Sequence, residues 1–167
     1  MRSIGNNCLF LAIEKYIFGM KQKDYREESV PGGASANSSM QFTPEHITSL
    51  APGEVFVFGS NLAGMHGGGA ARVAMQRFGA VWGQGVGLQG QSYAIPTMQG
   101  GVETIEPYVD EFIAFAREHR ELRFYVTRIG CGIAGFQDRE IAPLFAKALG
   151  VENIVLPKSF VDVLQSK

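Results

Sequence analysis

The sequence has little cysteine: only Cys8 and Cys131 occur in 167 residues, far apart and with no CxxC spacing. Disulfide-stapled domains and structural zinc sites both need more cysteines at closer spacing, so we expect neither a disulfide framework nor a metal site. Sparse, unpaired cysteines are typical of a reducing compartment. We therefore predict a cytoplasmic protein.

Long apolar runs are lacking as well. The run CLFLAI at residues 8–13 is interrupted by Glu14, whereas a membrane-spanning helix needs about 20 predominantly apolar residues. The run also lacks the basic lead-in and the small-residue cleavage site of a good signal peptide. We expect a soluble protein without a membrane partner.

The chain has no large excess of charge of either sign. Its formal net charge is −1 and its pI is about 6.3. Such a balance gives no general attraction to nucleic acids or anionic membranes, so any anion-binding site must be local. The length suits one domain, or one domain with an extension, and is enough for a buried core.

Glycine, by contrast, is abundant, with 21 residues, twelve of which fall between Gly59 and Gly101. Low-complexity sequence would spread the glycines more evenly. Here they cluster between segments with the patterns of strands and helices, which indicates loops whose backbone geometry requires glycine.

The first 41 residues differ from the rest. Residues 1–28 include a predicted helix, LFLAIEKYIFGM, and residues 29–41, SVPGGASANSSMQ, have the composition of a flexible linker. We predict an N-terminal extension over residues 1–41 and a domain over residues 42–167.

Within the domain, four short segments are predicted to be strands. EVFVF (54–58) is apolar without polar alternation, which is typical of a strand covered on both faces, and SYAIPT (92–97), RFYVTRIG (123–130) and NIVLP (153–157) follow. The glycine-rich stretch GQGVGLQGQ precedes the second strand and is predicted to be a loop.

Four helices alternate with these strands. TPEHITSL (43–50) has Thr43 as a predicted cap, and GGAARVAMQRF (68–78) has Gly79 as its stop. Thr104 is predicted to cap an amphipathic helix, and a last helix spans residues 139–149 with Pro143 near its first turn. This alternation predicts a three-layer α/β/α domain with a mixed, largely parallel sheet.

Two glycine-rich segments follow predicted strands: GSNLAGMHGGGAA (59–71, the first glycine loop) and GCGIAGF (130–136, the second glycine loop). Ligands of open α/β sheets bind at the carboxyl ends of the strands. Glycine lets backbone N–H groups approach a ligand, and a helix N-terminus favours anions. The two loops together predict a phosphate or diphosphate site.

The usual nucleotide fingerprints are missing. The chain contains no G-x-x-x-x-G-K-[ST] motif, and the first strand is not followed by G-x-G-x-x-G with an acidic residue about 20 positions later. P-loop, kinase-like and dinucleotide-dependent oxidoreductase functions are disfavoured.

VFGSNLAGMHGGGAARVAMQRFGA resembles the first signature of macro domains, in which a strand leads to an asparagine, a glycine triplet and a helix that ends in glycine. RIGCGIAGF is similar to the second signature, and GQSYAIPT to the middle strand of the family. The resemblance covers residues 42–160, and the chain is identified as a divergent member.

The resemblance implies a pocket for ADP-ribose or a related nucleotide, free or attached to a macromolecule, without metal or cofactor. It places the diphosphate between the two glycine loops, Asn61 facing the ribose distal to adenine, and Phe136 beside that sugar. If the chain hydrolyses ADP-ribose from an acceptor, Asn61 and His66 are the catalytic candidates. The implied ligand-binding residues are Gly59, Ser60, Asn61, Gly67, Gly68, Gly69, Ala70, Gly130, Cys131, Gly132, Ile133, Ala134, Gly135 and Phe136.

Two positions depart from the family pattern. The aspartate that often follows the glycine triplet by two residues in hydrolytic members is Ala71 here. The family aspartate that binds the adenine amino group is replaced by His46, with Glu45 next to it as a substitute.

Structural alternatives exist for each candidate. The Asn61 side chain can form hydrogen bonds to the backbone of its own turn. The His66 side chain can form a hydrogen bond to the backbone, and the Phe136 ring can anchor its loop in the core. GQGVGLQGQ and Trp82 can form a pocket wall, a lid or a mobile surface loop. Cys131, between two glycines, is a weak candidate nucleophile.

Three functions remain open from the sequence. The first is ADP-ribose binding, with or without hydrolysis. The second is a non-catalytic interaction or structural protein with a drifted pocket. The third is a hydrolase of another nucleotide or NAD-derived metabolite.

Overall fold

The computed structural model of the protein describes residues 41–166. The predicted N-terminal helix and the predicted linker up to residue 40 lie outside the described residues. All statements below concern residues 41–166.

The described residues form an α/β fold around one five-stranded sheet of order β2-β3-β1-β4-β5. The strands are β1 (Glu54–Ser60), β2 (Gly87–Gln89), β3 (Ser92–Pro96), β4 (Arg123–Val126) and β5 (Ile154–Val155). β1 is central and pairs in parallel with β3 and β4, β4 pairs in parallel with β5, and β2 is antiparallel to β3. The predicted mixed, largely parallel sheet is confirmed.

Helices cover both faces of this sheet. The α-helices are α1 (Gly69–Arg77), α2 (Glu106–Glu118), α3 (Asp138–Ile141) and α4 (Lys158–Gln165), with 3-10 turns at Val102–Thr104 and Ala142–Ala148. Phe56 and Phe58 of β1 pack with Ala74 of α1 in one cluster. Side chains alternate along a strand, so Tyr93, next to Ala94 of that cluster, faces the other side, where it contacts Phe112 of α2. This arrangement is compatible with a three-layer α/β/α fold.

All four predicted strands are present, although β4 and β5 are shorter than the predicted segments RFYVTRIG and NIVLP. The prediction that GQGVGLQGQ is entirely loop is wrong, because Gly87–Gln89 forms β2. Glycines at 83, 87 and 90 all adopt positive φ. Gly87 begins β2 and Gly90 directly follows it, and a strand of three residues is too short to show an alternating pattern.

The helix predicted over residues 43–50 is not formed. The backbone N–H of Thr43 donates to the carbonyl of Leu156 (2.9 Å), and its hydroxyl donates to the carbonyl of Val155 (2.8 Å). Thr43 therefore runs beside the end of β5 instead of capping a helix, and these tertiary hydrogen bonds override the local cap and proline signals.

The helix GGAARVAMQRF is confirmed as α1, and Gly79 follows it with φ 78°. The amphipathic helix is confirmed as α2, but Thr104 does not cap it, since its hydroxyl donates to the carbonyl of Gly101 (2.7 Å). The predicted helix over residues 139–149 is divided into α3 and a 3-10 turn that contains Pro143. Proline has no N–H for α-helical bonding, which explains the break. α4 was not predicted.

None of the helices described here is long and apolar enough to span a membrane. In the same part of the chain, no group of three or more histidine, cysteine or acidic residues is arranged to hold a metal ion.

Candidate functional site

The two glycine loops meet at the carboxyl edge of the sheet, because β1 and β4 are adjacent parallel strands. A Cβ added to Gly59 would lie 3.3 Å from the backbone nitrogen of Gly130 and 3.3 Å from the Thr97 hydroxyl. The ends of β1, β3 and β4 thus converge, and a side chain at Gly59 would have tight contacts with the other two strand ends. A cleft of about 170 Å³ opens at this edge and both loops line it.

Residues whose backbone N–H groups have no acceptor within residues 41–166 lie on both sides of the cleft. The first hydrogen bond of α1 joins Arg72 N–H to the Gly68 carbonyl, so the N–H groups of residues 69–71 precede it. In the second loop, Cys131, Gly135 and Phe136 donate to backbone carbonyls. Within residues 41–166, the N–H groups of residues 132–134 have no hydrogen-bond acceptor. All six residues of these two groups line the cleft.

Ile133 connects the two loops across the mouth of the cleft. Its Cδ1 lies 2.9 Å from the position that a Cβ on Gly68 would take, and 3.7 Å from that on Gly69. Its side chain is 71% exposed, so little protein restrains it. Gly68 therefore leaves space for Ile133 to lie over the glycine triplet.

Asn61 lines the cleft and also closes its own loop. Its side-chain amide donates to the Met65 carbonyl (2.9 Å), and its side-chain oxygen accepts from the Met65 N–H (3.0 Å). One N–H and one oxygen lone pair of the amide stay available. Both the turn interpretation and a ligand contact are therefore compatible with its geometry.

His66 lies beneath the loop and does not line the cleft. It is fully buried, its ring meets that of Phe58 edge-on (centroids 5.3 Å apart), and its Nε2 donates to the Gln84 carbonyl (3.0 Å). Its Nδ1 has no partner among the described residues. The structure thus places His66 as a support of the loop, away from any ligand in the cleft.

Residues 83–86 interlock with the first glycine loop from outside the cleft. The N–H of Gly83 donates to the Gly64 carbonyl (2.9 Å), and the Ser60 hydroxyl donates to the Gly85 carbonyl. A Cβ on Gly64 would lie 2.3 Å from the Gln84 nitrogen. The segment containing GQGVG is therefore a support of the loop rather than a wall of the cleft, and Trp82 is exposed outside it.

A charged pair borders the second loop. Arg128 Nε and a terminal nitrogen donate to the two carboxylate oxygens of Asp138 (3.0 and 2.9 Å). Burial alone would raise the pKa of Asp138, but hydrogen bonds from Arg128 and Cys131 hold it below its ordinary value. The same hydrogen bond with Asp138 raises the pKa of Arg128.

Cys131 is a poor nucleophile in this position. Burial, followed by its hydrogen bond to Asp138, raises the pKa of its thiol to about 12. Since the thiolate is the reactive form, the thiol is unreactive near neutral pH.

We expect Cys131 of the folded protein to react with iodoacetamide at pH 8 roughly 10- to 100-fold more slowly than in urea, because the smaller thiolate fraction outweighs the higher nucleophilicity of a high-pKa thiol. Peptide-level mass spectrometry separates Cys131 from Cys8. Asp138→Asn should accelerate the reaction of the folded protein. Equal rates in folded and unfolded protein would contradict the raised pKa.

The structure brings together most of the residues that the sequence predicted for the site. Gly59, Ser60, Asn61, Gly68, Gly69, Ala70, Gly130, Gly132, Ile133 and Ala134 line the cleft, whereas His66, Gly67, Cys131, Gly135 and Phe136 do not. Phe136 is half-buried and packs beside Gly130, with its Cδ2 3.4 Å from a Cβ built there, so it lies against the base of its own loop.

Sequence reasoning missed several lining residues: Met65, Thr97, Met98, Thr127, Arg128 and Ile129. Thr97 and Met98 directly follow β3, and residues 127–129 directly follow β4. Applying the carboxyl-end rule to SYAIPT would have found Met98, whereas residues 127–129 lie inside the predicted strand RFYVTRIG, which extends beyond the end of β4.

A second cavity of about 530 Å³ adjoins the cleft, and Thr127 and Arg128 line both. Its other lining residues include Glu45, Asp138, Lys158 and Ser159. Ligand sites usually measure about 300–1,000 Å³. The cleft alone is smaller than that range, whereas the adjoining cavity falls within it.

No family model matches the chain, and neither a curated protein nor a solved structure matches it.

Proposed function

We propose that the cleft binds ADP-ribose or a related diphosphate nucleotide, in the manner of macro domains. One observation carries the proposal: in the described part of the chain, six backbone N–H groups without an acceptor, three from each glycine loop, belong to residues that line a single cleft. Ala70, Ala71 and Ala134 are buried or partly buried, and N–H groups in such positions are rarely left without an acceptor. An anion with oxygens on two sides, such as a diphosphate, satisfies both sets.

The position of the first set adds an electrostatic contribution. Residues 69–71 form the first turn of α1, whose cap, Gly68, makes no side-chain hydrogen bond. The helix N-terminus carries partial positive charge and favours a bound anion. The resemblance to macro domains supports the same ligand independently of this geometry.

Binding is better supported than cleavage. The only ionisable residue among those lining the cleft within residues 41–166 is Arg128, which cannot act as a general base at neutral pH. Ala71 occupies the position of the family aspartate and lines the cleft, and His66 is buried behind it. A non-catalytic function, as a reader of ADP-ribose, fits this chemistry.

The hydrolase alternative has one observation in its favour, since the Asn61 amide at the cleft retains a donor and an acceptor that can orient water. Incubation with an ADP-ribosylated protein, followed by measurement of free ADP-ribose, tests it. Binding without release would leave the reader function alone. A thermal-shift screen of nucleotides tests the alternative that the ligand is another nucleotide or an NAD-derived metabolite.

Calorimetric titration of the full chain with ADP-ribose is expected to show binding that Gly68→Val weakens by at least about tenfold, because the added side chain displaces Ile133 and enters the cleft. Gly67→Val is the matched control: nothing lies within 4 Å of a Cβ there, and Gly67 does not line the cleft. No heat and no thermal shift at millimolar ADP-ribose would refute the proposal. Equal weakening by both variants would contradict the assigned position of the ligand.

A further inference from the structure

We infer that Arg128 is a ligand-binding residue that recognises a phosphate group where the ligand passes from the cleft into the adjoining cavity. The inference rests on the proposed function, since it concerns the ligand of the same site. It adds a cation to a cleft whose other donors, among the described residues, are backbone N–H groups and uncharged side chains.

The first reason is the position of Arg128. Arg128 lies two residues before the second glycine loop, and it is one of two residues that line both cavities. A nucleotide diphosphate too large for the cleft must extend past this point. Arg128 therefore lies where the two parts of such a ligand join.

The second reason is the set of donors that stays available. A guanidinium has five N–H donors in a planar fork that matches phosphate oxygens. Two of these nitrogens each donate once to Asp138 (3.0 and 2.9 Å), and no other acceptor is bonded to Arg128 within residues 41–166. The Arg128 side chain is 59% exposed. Three N–H groups can thus reach a ligand without breaking the pair.

The third reason is that Asp138 is suited to orient Arg128. Its carboxylate is 21% exposed, lies at the start of α3, and is close enough to Cys131 to affect the pKa of the thiol. Cys131 lies in the second glycine loop, so the carboxylate holds the guanidinium next to the loop whose N–H groups are unpaired. A cation oriented beforehand loses little conformational freedom when it binds an anion.

The charged side chains that line the adjoining cavity are of both signs, so the preference for an anion at this point comes from Arg128 itself. Lys158 also lines the adjoining cavity, where it pairs with Asp162 (2.7 Å). Glu45, on the same cavity wall, lies near enough to Arg128 to raise its pKa. A phosphate beside Arg128 forms an ion pair with it, whereas a neutral sugar or base at the same place gains only hydrogen bonds or stacking.

The test compares three variants of the full chain by calorimetry with ADP-ribose at low and high salt. Arg128→Gln is expected to weaken binding by about 10- to 100-fold, the effect of losing a charged hydrogen bond, and to reduce its salt dependence. Arg139→Gln is the matched control, because Arg139 is a neighbouring exposed arginine that lines neither cavity. We expect it to change affinity by less than about twofold.

The variant Asp138→Asn tests whether Arg128 contacts the ligand or whether the Arg128–Asp138 pair only supports the second glycine loop. It removes the charge pair but leaves the cation, so if Arg128 contacts the ligand, affinity should fall less than in Arg128→Gln, because only the orientation of the guanidinium is lost. Equal losses in Arg128→Gln and Asp138→Asn would show that the pair only supports the loop and would overturn the inference. Equal affinities of Arg128→Gln and Arg139→Gln would overturn it as well, while the proposed function would stand.

A wild-type protein that does not bind ADP-ribose would refute the proposed function without deciding the role of Arg128. Thermal shift with pyrophosphate then decides it. Stabilisation of the wild type and of Arg139→Gln, but not of Arg128→Gln, would support the inference. Stabilisation of all three, or of none, would overturn it.

Discussion

Replacing Gly85 by alanine is expected to lower the free energy of unfolding by about 3 kcal/mol or more, the upper end of what an added methyl group costs in a packed interior. The new Cβ would lie 2.1 Å from the Asn61 carbonyl oxygen and 2.8 Å from the Leu62 carbonyl oxygen. Both are backbone atoms of the first glycine loop, so neither can rotate away. Gly85 does not adopt positive φ, so the cost is steric and not conformational. Urea unfolding of wild type and variant measures it.

Gly67→Ala is the control for this prediction. Gly67 also lacks positive φ, and nothing lies within 4 Å of its added Cβ, so a change within about 0.5 kcal/mol is expected. Because Asn61 must move to admit the methyl group, Gly85→Ala should also weaken ADP-ribose binding at temperatures where the variant is folded. If Gly85→Ala unfolds at the same urea midpoint as the wild type, the interlocking of residues 83–86 with the first loop is contradicted.

The contrast between these two glycines shows what local sequence can predict about the site. The strand β1, the glycine triplet and the stop at Gly79 were predicted because they depend on residues close in sequence. The need for glycine at position 85 could not be predicted from the sequence, because the contact that requires it is with Asn61, 24 positions earlier in the chain. Glycines that permit a turn and glycines that permit a close approach look the same in a sequence.

The same distinction explains the errors at Thr43 and Arg128. The signals at Thr43 and Pro44 favour a helix, but the partners that decide the conformation of Thr43 are Val155 and Leu156, more than 100 residues away. Arg128 carries no local signal at all, since an isolated arginine after a strand is common. Only the pairing of β4 with β1 brings it to the cleft.

Phe112→Ala is expected to cost about 3–5 kcal/mol of unfolding free energy, the usual range for removing a fully buried phenylalanine side chain. Phe112 of α2 is completely buried and contacts the rings of Tyr93, Phe124 and Phe145, with centroid distances of 5.1, 5.4 and 6.5 Å. It thereby joins α2 to β3, β4 and the turn that contains Pro143. Urea unfolding, with both the midpoint and the slope measured, gives the decrease in the free energy of unfolding.

Phe115→Ala on the same helix is the matched control. Phe115 contacts Tyr93 and Phe124 at longer distances (5.3 and 6.1 Å) and is only half-buried, so its removal should cost clearly less than that of Phe112. An equal cost for the two variants would contradict the burial difference. Neither ring lines the cleft. Below their unfolding transitions, both variants should bind ADP-ribose as the wild type does, because the aromatic cluster under α2 stabilises the sheet without contacting the glycine loops at its edge.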